Sequence, residues 1–249
     1  MRWSKDSTVD VNVASEGTLM ADLRARLNDR TGFSVATLNL DHVVKLNRDR
    51  KFREAYQAQT HVTADGNPIV WLSRLSGQNV SLIPGSELVS PIAGLAAEIG
   101  APLGLFGAAD ASLSAASDAL RAQHPGLAVV YCEAPPMGFD PDGSVADEAI
   151  SRIAKSGARV VFLALGAPKQ ECFAARAQKA LPGVGFLSIG AGLDFVSGAQ
   201  VRAPRWVRRI AAEWLWRLVA DPRRLGSRYL ACALAMPGLT TRALSERLR

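Results

Sequence analysis

Residues 159–166 read RVVFLALG, and after Arg159 no polar side chain occurs before Gly166. A strand with one face on water alternates polar and apolar positions. A run with no polar face has to be covered on both sides, as in the interior of a parallel sheet with helices above and below. A second run of this kind, VGFLSIG at 184–190, follows a helical pattern at 172–181. Further apolar runs at 33–40, 60–64, 102–107 and 128–136 alternate with helical patterns across residues 30–200. That order suits βαβ units joined by right-handed crossovers. The expected fold is α/β: a Rossmann-like parallel sheet flanked by helices, with a small basic helical appendage at the C-terminus. The alternation stops near residues 198–204, which divides the chain into 1–201 and 202–249.

In an open sheet of this type the ligand crevice lies outside the carboxyl ends of the strands. The run at 159–166 ends in Gly166-Ala167-Pro168-Lys169-Gln170-Glu171. A helix opening there turns unpaired N–H groups and the positive end of its dipole toward an anion. The run at 184–190 ends in Gly190-Ala191-Gly192-Leu193-Asp194-Phe195, with Gly198 beyond. Either loop alone reads equally well as an ordinary βα turn; two in succession, one with Lys-Gln-Glu and one with Asp194, favour a site. Upstream, Thr37-Leu38-Asn39-Leu40-Asp41-His42 precedes a helical pattern at 42–57, so Asn39 or Asp41 suits a helix cap. Asp65-Gly66 is a turn dipeptide by composition, but it too stands at the carboxyl end of an apolar run. Pro84-Gly85-Ser86 opens another helix, where Ser86 caps it or the helix start holds a phosphate.

The net charge is +6, yet residues 202–249 hold eleven arginines, no lysine and three acids, a local excess of +8. Trp206, Ile210, Trp214 and Leu218 share one helical face, Arg205, Arg208, Arg209 and Arg217 the other, and Pro222 ends the pattern before Arg223-Arg224. A basic, tryptophan-bearing amphipathic helix suits an anionic membrane surface. The competing readings are a helical pair docked on the sheet, a subunit contact in a homo-oligomer, and nucleic-acid binding, for which no accompanying motif is present. No run reaches the roughly 18 apolar residues of a membrane span, and the N-terminus lacks the apolar core of a signal peptide. Three scattered cysteines, Cys132, Cys172 and Cys232, fit a reducing cytoplasm. The expected location is cytoplasmic, peripheral at the inner face of the cell membrane.

GAPKQE (166–171), GAGLDF (190–195), Gly198, RAPRW (202–206), Glu213-Trp214, Arg217 and Asp221-Pro222-Arg223-Arg224 resemble, in order and spacing, the WecG/TagA/CpsF family. Those are bacterial glycosyltransferases that extend lipid-linked sugars. Ala64-Asp65-Gly66 and the loop at 135–143 resemble it too, so the resemblance spans roughly residues 30–230. The N-terminal region is short for the family and shows no clear first strand, which leaves the edge of the sheet undefined.

The resemblance implies an inverting, metal-independent transfer of one sugar from a UDP-sugar to a polyprenyl-diphosphate-linked saccharide, in cell-surface or exopolysaccharide biosynthesis. The UDP-sugar is a co-substrate and no cofactor is expected. The donor sugar is N-acetylmannosamine, its uronic acid or glucose. Asp65 is the implied base, Thr37 and Asn39 hold the sugar, and Gln170 and the Gly166 backbone hold the nucleotide. Arg217, Arg223 and Arg224 neutralise the diphosphate as the appendage closes over the site. Gly66, Arg74, Gly107, Lys169, Glu171, Gly190, Asp194 and Arg202 complete the substrate-binding set.

The chemistry agrees with one carboxylate and several arginines. The acceptor hydroxyl must lose a proton as it attacks, whereas a nucleoside diphosphate leaves readily once its charge is stabilised. Asp140-Pro141-Asp142-Gly143 matches an Asp-x-Asp metal pattern, but more strongly a turn. His42, His61 and His124 lack zinc spacing. The absence of a phosphate-loop or Gly-x-Gly-x-x-Gly motif weighs against those nucleotide folds. The remaining readings are another nucleotide-binding α/β enzyme and a non-enzymatic peripheral membrane module.

Overall fold

The computed structural model describes residues 1, 3, 4, 9–200, 203, 204, 207 and 211–248, apart from the side chains of Arg217, Ala220 and Arg224. Six strands form one parallel sheet in the order β2-β1-β6-β5-β3-β4. They are β1 (Phe33–Leu38), β2 (His61–Ala64), β3 (Leu103–Gly107), β4 (Val129–Glu133), β5 (Val160–Ala164) and β6 (Gly185–Ser188). The two runs without a polar face, β5 and β6, lie at its centre. On one side Phe162 and Leu187 pack beneath α1 (Glu16–Asn28), α5 (Gly85–Ile99) and α6 (Asp110–Gln123). On the other, Val161, Leu163 and Phe186 meet α7 (Ser144–Ser156) and α8 (Lys169–Ala180). Each such side chain, fully buried, contributes roughly 1.5–3 kcal/mol. The α/β fold with a C-terminal helical part is therefore as the sequence indicates.

Three local differences have physical causes. The pattern at 42–57 is two helices, α2 (Leu40–Leu46) and α3 (Arg50–Gln57), because Asp49 caps the second by accepting the Phe52 N–H at 3.1 Å. Helix α8 begins three residues earlier than the apolar pattern suggests. The Gln170 N–H donates to Gly166 O and the Cys172 N–H to Pro168 O, which places Lys169, Gln170 and Glu171 in the first turn. The edge of the sheet is covered by residues 9–14. The Asn12 and Val13 amides donate to Val62 O, and the Val62 N–H donates to the Asn12 side chain at 2.7 Å. The outer backbone of β2, which would otherwise be open to another strand, is thereby occupied.

At the C-terminus, α10 (Glu213–Ala220) and α11 (Pro222–Arg247) follow, and α11 continues through Pro237. Helix α11 packs on α2 and on α4 (Asn67–Leu75), where Leu239 and Ala243 join Leu38, Val43 and Ile69 in a common core. Among the described residues no helix is long and apolar enough to cross a membrane. Trp206, Arg205, Arg208, Arg209 and Ile210 lie outside the described residues.

Candidate active site

The site follows from the register of the central strands. Thr37 pairs with Thr63 and Leu38 with Ala64 across β1 and β2, so the next residue, Asp65, stands beside the end of β1. Its N–H donates to Leu38 O at 2.8 Å, and the Thr37 hydroxyl donates to Asp65 Oδ2 at 3.4 Å. Gly66, at φ +104°, turns the chain from Asp65 into α4. Helix α5 starts directly over β1 and β6: a Cβ on Gly85 would lie 2.8 Å from Ser188 O and 3.1 Å from Thr37 Cγ2. Only a glycine lets the positive end of this 15-residue helix approach Thr37 so closely.

On the other flank, Gly166 (φ +71°) and a cis Ala167-Pro168 peptide lead from β5 into α8. Gln170 is buried there and accepts the Gly190 N–H through Oε1 at 3.1 Å. Its Nε2 donates to Glu171 Oε1 at 2.8 Å. The two glycine loops singled out in the sequence are thus joined by one side chain. Lys169 is half-buried at the start of the helix.

A third contribution comes from the appendage. Arg228 of α11 donates twice to the Asp41 carboxylate, at 3.2 and 2.5 Å. Lys45 Nζ stands 2.9 Å from Asp41 Oδ2 and 3.4 Å from Ala167 O, to which it donates. The string Arg228–Asp41–Lys45–Ala167 ties the C-terminal helix to the turn before α8. Burial alone would raise the Asp41 carboxyl, but its bonds from Arg228 and Lys45 outweigh that and hold it below the ordinary carboxylate range. A depressed value means the contribution is present at neutral pH and lost as the pH falls through the carboxylate range. Asp41→Asn is expected to lower stability by about 1–2 kcal/mol at pH 7, discounted because Arg228 is partly exposed. Urea unfolding at neutral and acid pH measures it; an equal deficit at both would remove the ionic origin.

Behind Thr37 lies a buried pair. The Tyr56 hydroxyl donates to Thr37 O at 2.9 Å, and His42 Nδ1 stands 2.7 Å from that hydroxyl and supplies the proton between them. Burial lowers His42 to about 4, so its imidazole is neutral near pH 7. Neither residue was legible as part of a site from spacing, nor were Lys45, Gln59 and Arg228, whose contacts to Ala167 O, Glu171 O and the Asp41 carboxylate span 112 residues or more.

The other expected site residues are distributed as follows. Asn39 caps α2 by accepting the His42 N–H at 3.0 Å, beside Thr37. Arg74 is exposed in the last turn of α4, about 10 Å along the axis from the end nearest Asp65. Gly107 touches backbone: a Cβ there would meet Ala164 O at 2.5 Å. Asp194 sits on α9 (Gly192–Val196), where its carboxylate accepts the Gln200 amide at 3.1 Å. Arg223 is exposed in the first turn of α11. Arg202 and the side chains of Arg217 and Arg224 lie outside the described residues. Asp140-Pro-Asp-Gly is a turn: Asp140 accepts the Asp142 and Gly143 amides, and Asp142 pairs with Lys51 at 2.9 Å.

A half-buried carboxylate at the carboxyl end of a parallel sheet, flanked by a helix start and two glycine turns, occupies the place where α/β proteins with open parallel sheets bind their ligands. A sequence model described as "Glycosyl transferase WecG/TagA/CpsF family" matches residues 7–249, wider than the motif span of roughly 30–230. The chain belongs to that family of glycosyltransferases. It is 26% identical, over 80% of its length and 75% of the relative's, to a Bacillus subtilis (strain 168) protein. That protein is the N-acetylglucosaminyldiphosphoundecaprenol N-acetyl-beta-D-mannosaminyltransferase.

Proposed function

We propose that the protein moves one sugar from a UDP-sugar to a saccharide on a polyprenyl diphosphate, with inversion, in the assembly of a cell-surface or exported polysaccharide. The observation that carries this reading is the Thr37–Asp65 pair at the strand ends, next to the start of α5. The acceptor O–H gives its proton to Asp65 as its oxygen bonds to the anomeric carbon. The bond from that carbon to the phosphate oxygen breaks on the opposite face, and UDP leaves with the electron pair. A single carboxylate supports this single displacement, and inversion follows.

Charge on the departing diphosphate is met by Arg217, Arg223 and Arg224, whose planar forks bind phosphate oxygens in pairs. Arginine in place of a divalent metal is consistent with the Asp140–Gly143 segment being used as a turn. N-acetylmannosamine is the favoured donor sugar because the Bacillus relative carries that transfer in its name. Its uronic acid and glucose remain in the test.

Residues 202–249 form the appendage that closes the site at an anionic membrane surface. On α10, Trp214 (52% exposed), Trp216 (44%) and Val219 (75%) meet water, and on α11 Leu230 (63%) and Leu234 (73%) do so. Exposed tryptophans next to arginines fit an interfacial helix.

The test is UDP release from a panel of UDP-sugars, in EDTA, with and without a short-chain polyprenyl-diphosphate-linked N-acetylglucosamine, together with co-sedimentation on anionic vesicles. Acceptor-dependent release from one donor and salt-sensitive vesicle binding are expected. Folded protein that binds vesicles yet releases no UDP with any donor would leave a membrane module without transferase activity.

A further inference from the structure

Glu171 is fully buried in the first turn of α8. Carboxyl groups are rarely buried without a cation, and among the described residues none pairs with it. Its Oε1 accepts the Gln170 side-chain amide at 2.8 Å, and its backbone oxygen accepts Gln59 Nε2 at 3.2 Å. Its Oε2 and Gln59 Oε1 are buried acceptors with no partner. A buried acceptor without a donor is costly, and a proton on the carboxyl relieves that cost at Oε2. Burial pushes the Glu171 carboxyl up to about 7.

A glutamine amide has two ends, and only its surroundings decide which way it faces. In Gln170 the Nε2 end meets Glu171, which leaves Oε1 to receive the Gly190 N–H at 3.1 Å. Turned over, the amide would set donor against donor at Gly190. Gly190 follows Ile189, whose Cα lies against Gly85 of α5, beside Thr37. The orientation of one buried amide is therefore passed to the turn that borders the site.

We propose that Glu171 is a positioning residue for the transfer: it fixes the Gln170 amide and thereby seats the Gly190 turn for binding of the nucleotide-sugar donor. This rests on the transferase reading above. A methionine at 171 fills similar volume but offers Gln170 no oxygen. A glutamine offers an oxygen and has no proton to lose. The titratable groups that face Glu171 are Lys45 from α2, Tyr56 from α3 and Cys172 from α8. Burial raises Tyr56 well above its ordinary value and Cys172 to about 12, so neither titrates near neutrality.

The experiment measures donor KM and kcat for the wild type, E171M and E171Q from about pH 6 to about pH 9. Folding is checked by circular dichroism. E171M is expected to raise donor KM by about tenfold, the loss of one buried hydrogen bond, with kcat within about threefold. E171Q is expected to recover most of that loss and to lack the fall in donor KM that ionisation of Glu171, which strengthens its bond from Gln170, is expected to give the wild type above about pH 7. A wild-type KM in folded E171M overturns the proposal, and so does a fall in kcat alone that tracks the folded fraction. If E171M does not fold, the E171Q profile decides: a KM that changes with pH as in the wild type overturns the proposal, and a flat one beside a falling wild-type one supports it. A wild type without turnover overturns the transferase reading instead. UDP titration then tests Glu171: binding about tenfold weaker in E171M supports positioning, and equal or absent binding overturns it.

Discussion

Asp65→Asn is expected to lower turnover by about 10²–10⁴-fold, the usual contribution of a positioned general base. Asparagine has the size and shape of aspartate, and its Oδ1 can still accept the Thr37 hydroxyl. The backbone bond from residue 65 to Leu38 O does not involve the side chain. The sheet end and the start of α4 should therefore persist, and the melting temperature should move little. What is lost is the capacity to take a proton from the acceptor hydroxyl, which falls on kcat rather than on donor affinity. Initial rates of acceptor-dependent UDP release, beside a thermal melt, separate these effects. A variant within about threefold of wild-type kcat would remove Asp65 from the role.

Gly107→Ala is expected to cost about 3 kcal/mol or more of stability. Gly107 closes β3 at φ +106°, opposite Ala164 at the end of β5. A methyl group there would stand 2.5 Å from Ala164 O and 2.6 Å from Ala164 C, inside van der Waals contact with backbone. The same oxygen receives the Ala108 N–H at 3.0 Å, so relief of the clash breaks a bond between central strands. Gly166→Ala is the control, since Gly166 also has positive φ (+71°) but its Cβ would enter open space. That variant should cost only about 1 kcal/mol. Equal denaturation midpoints for the two would show that the close approach is not what demands glycine at 107.

Both substitutions fall at strand ends, the part of the molecule that was most legible in the sequence. A strand buried on two faces leaves an unbroken apolar run, so β5 and β6 announce themselves and mark the turns that follow. The Thr37–Asp65 juxtaposition was reachable for the same reason, since parallel neighbours end side by side. Other parts had no local signature. Asp41 and Arg228 are 187 residues apart, and each alone looks like a solvated helix charge. Lys169-Gln170-Glu171 reads as a polar loop. Helix phase instead turns Gln170 and Glu171 inward, because Pro168 and Gly166 supply carbonyls that start the helix early. Arg74 shows the converse: a charge at a familiar sequence position that helix geometry carries away from the carboxylate.

The string Arg228–Asp41–Lys45–Ala167 has a thermodynamic consequence for the appendage. Docking of α11 and the set of the Ala167 turn share the same two ionic contacts, so each state of one carries a free energy in the other. Such coupling is reciprocal. If a nucleotide-sugar at the turn strengthens the Lys45 contact, it must strengthen the hold on α11, and a surface that steadies α11 must return the same amount as donor affinity. Salt that weakens the Asp41 pairs would uncouple the two without touching either binding face.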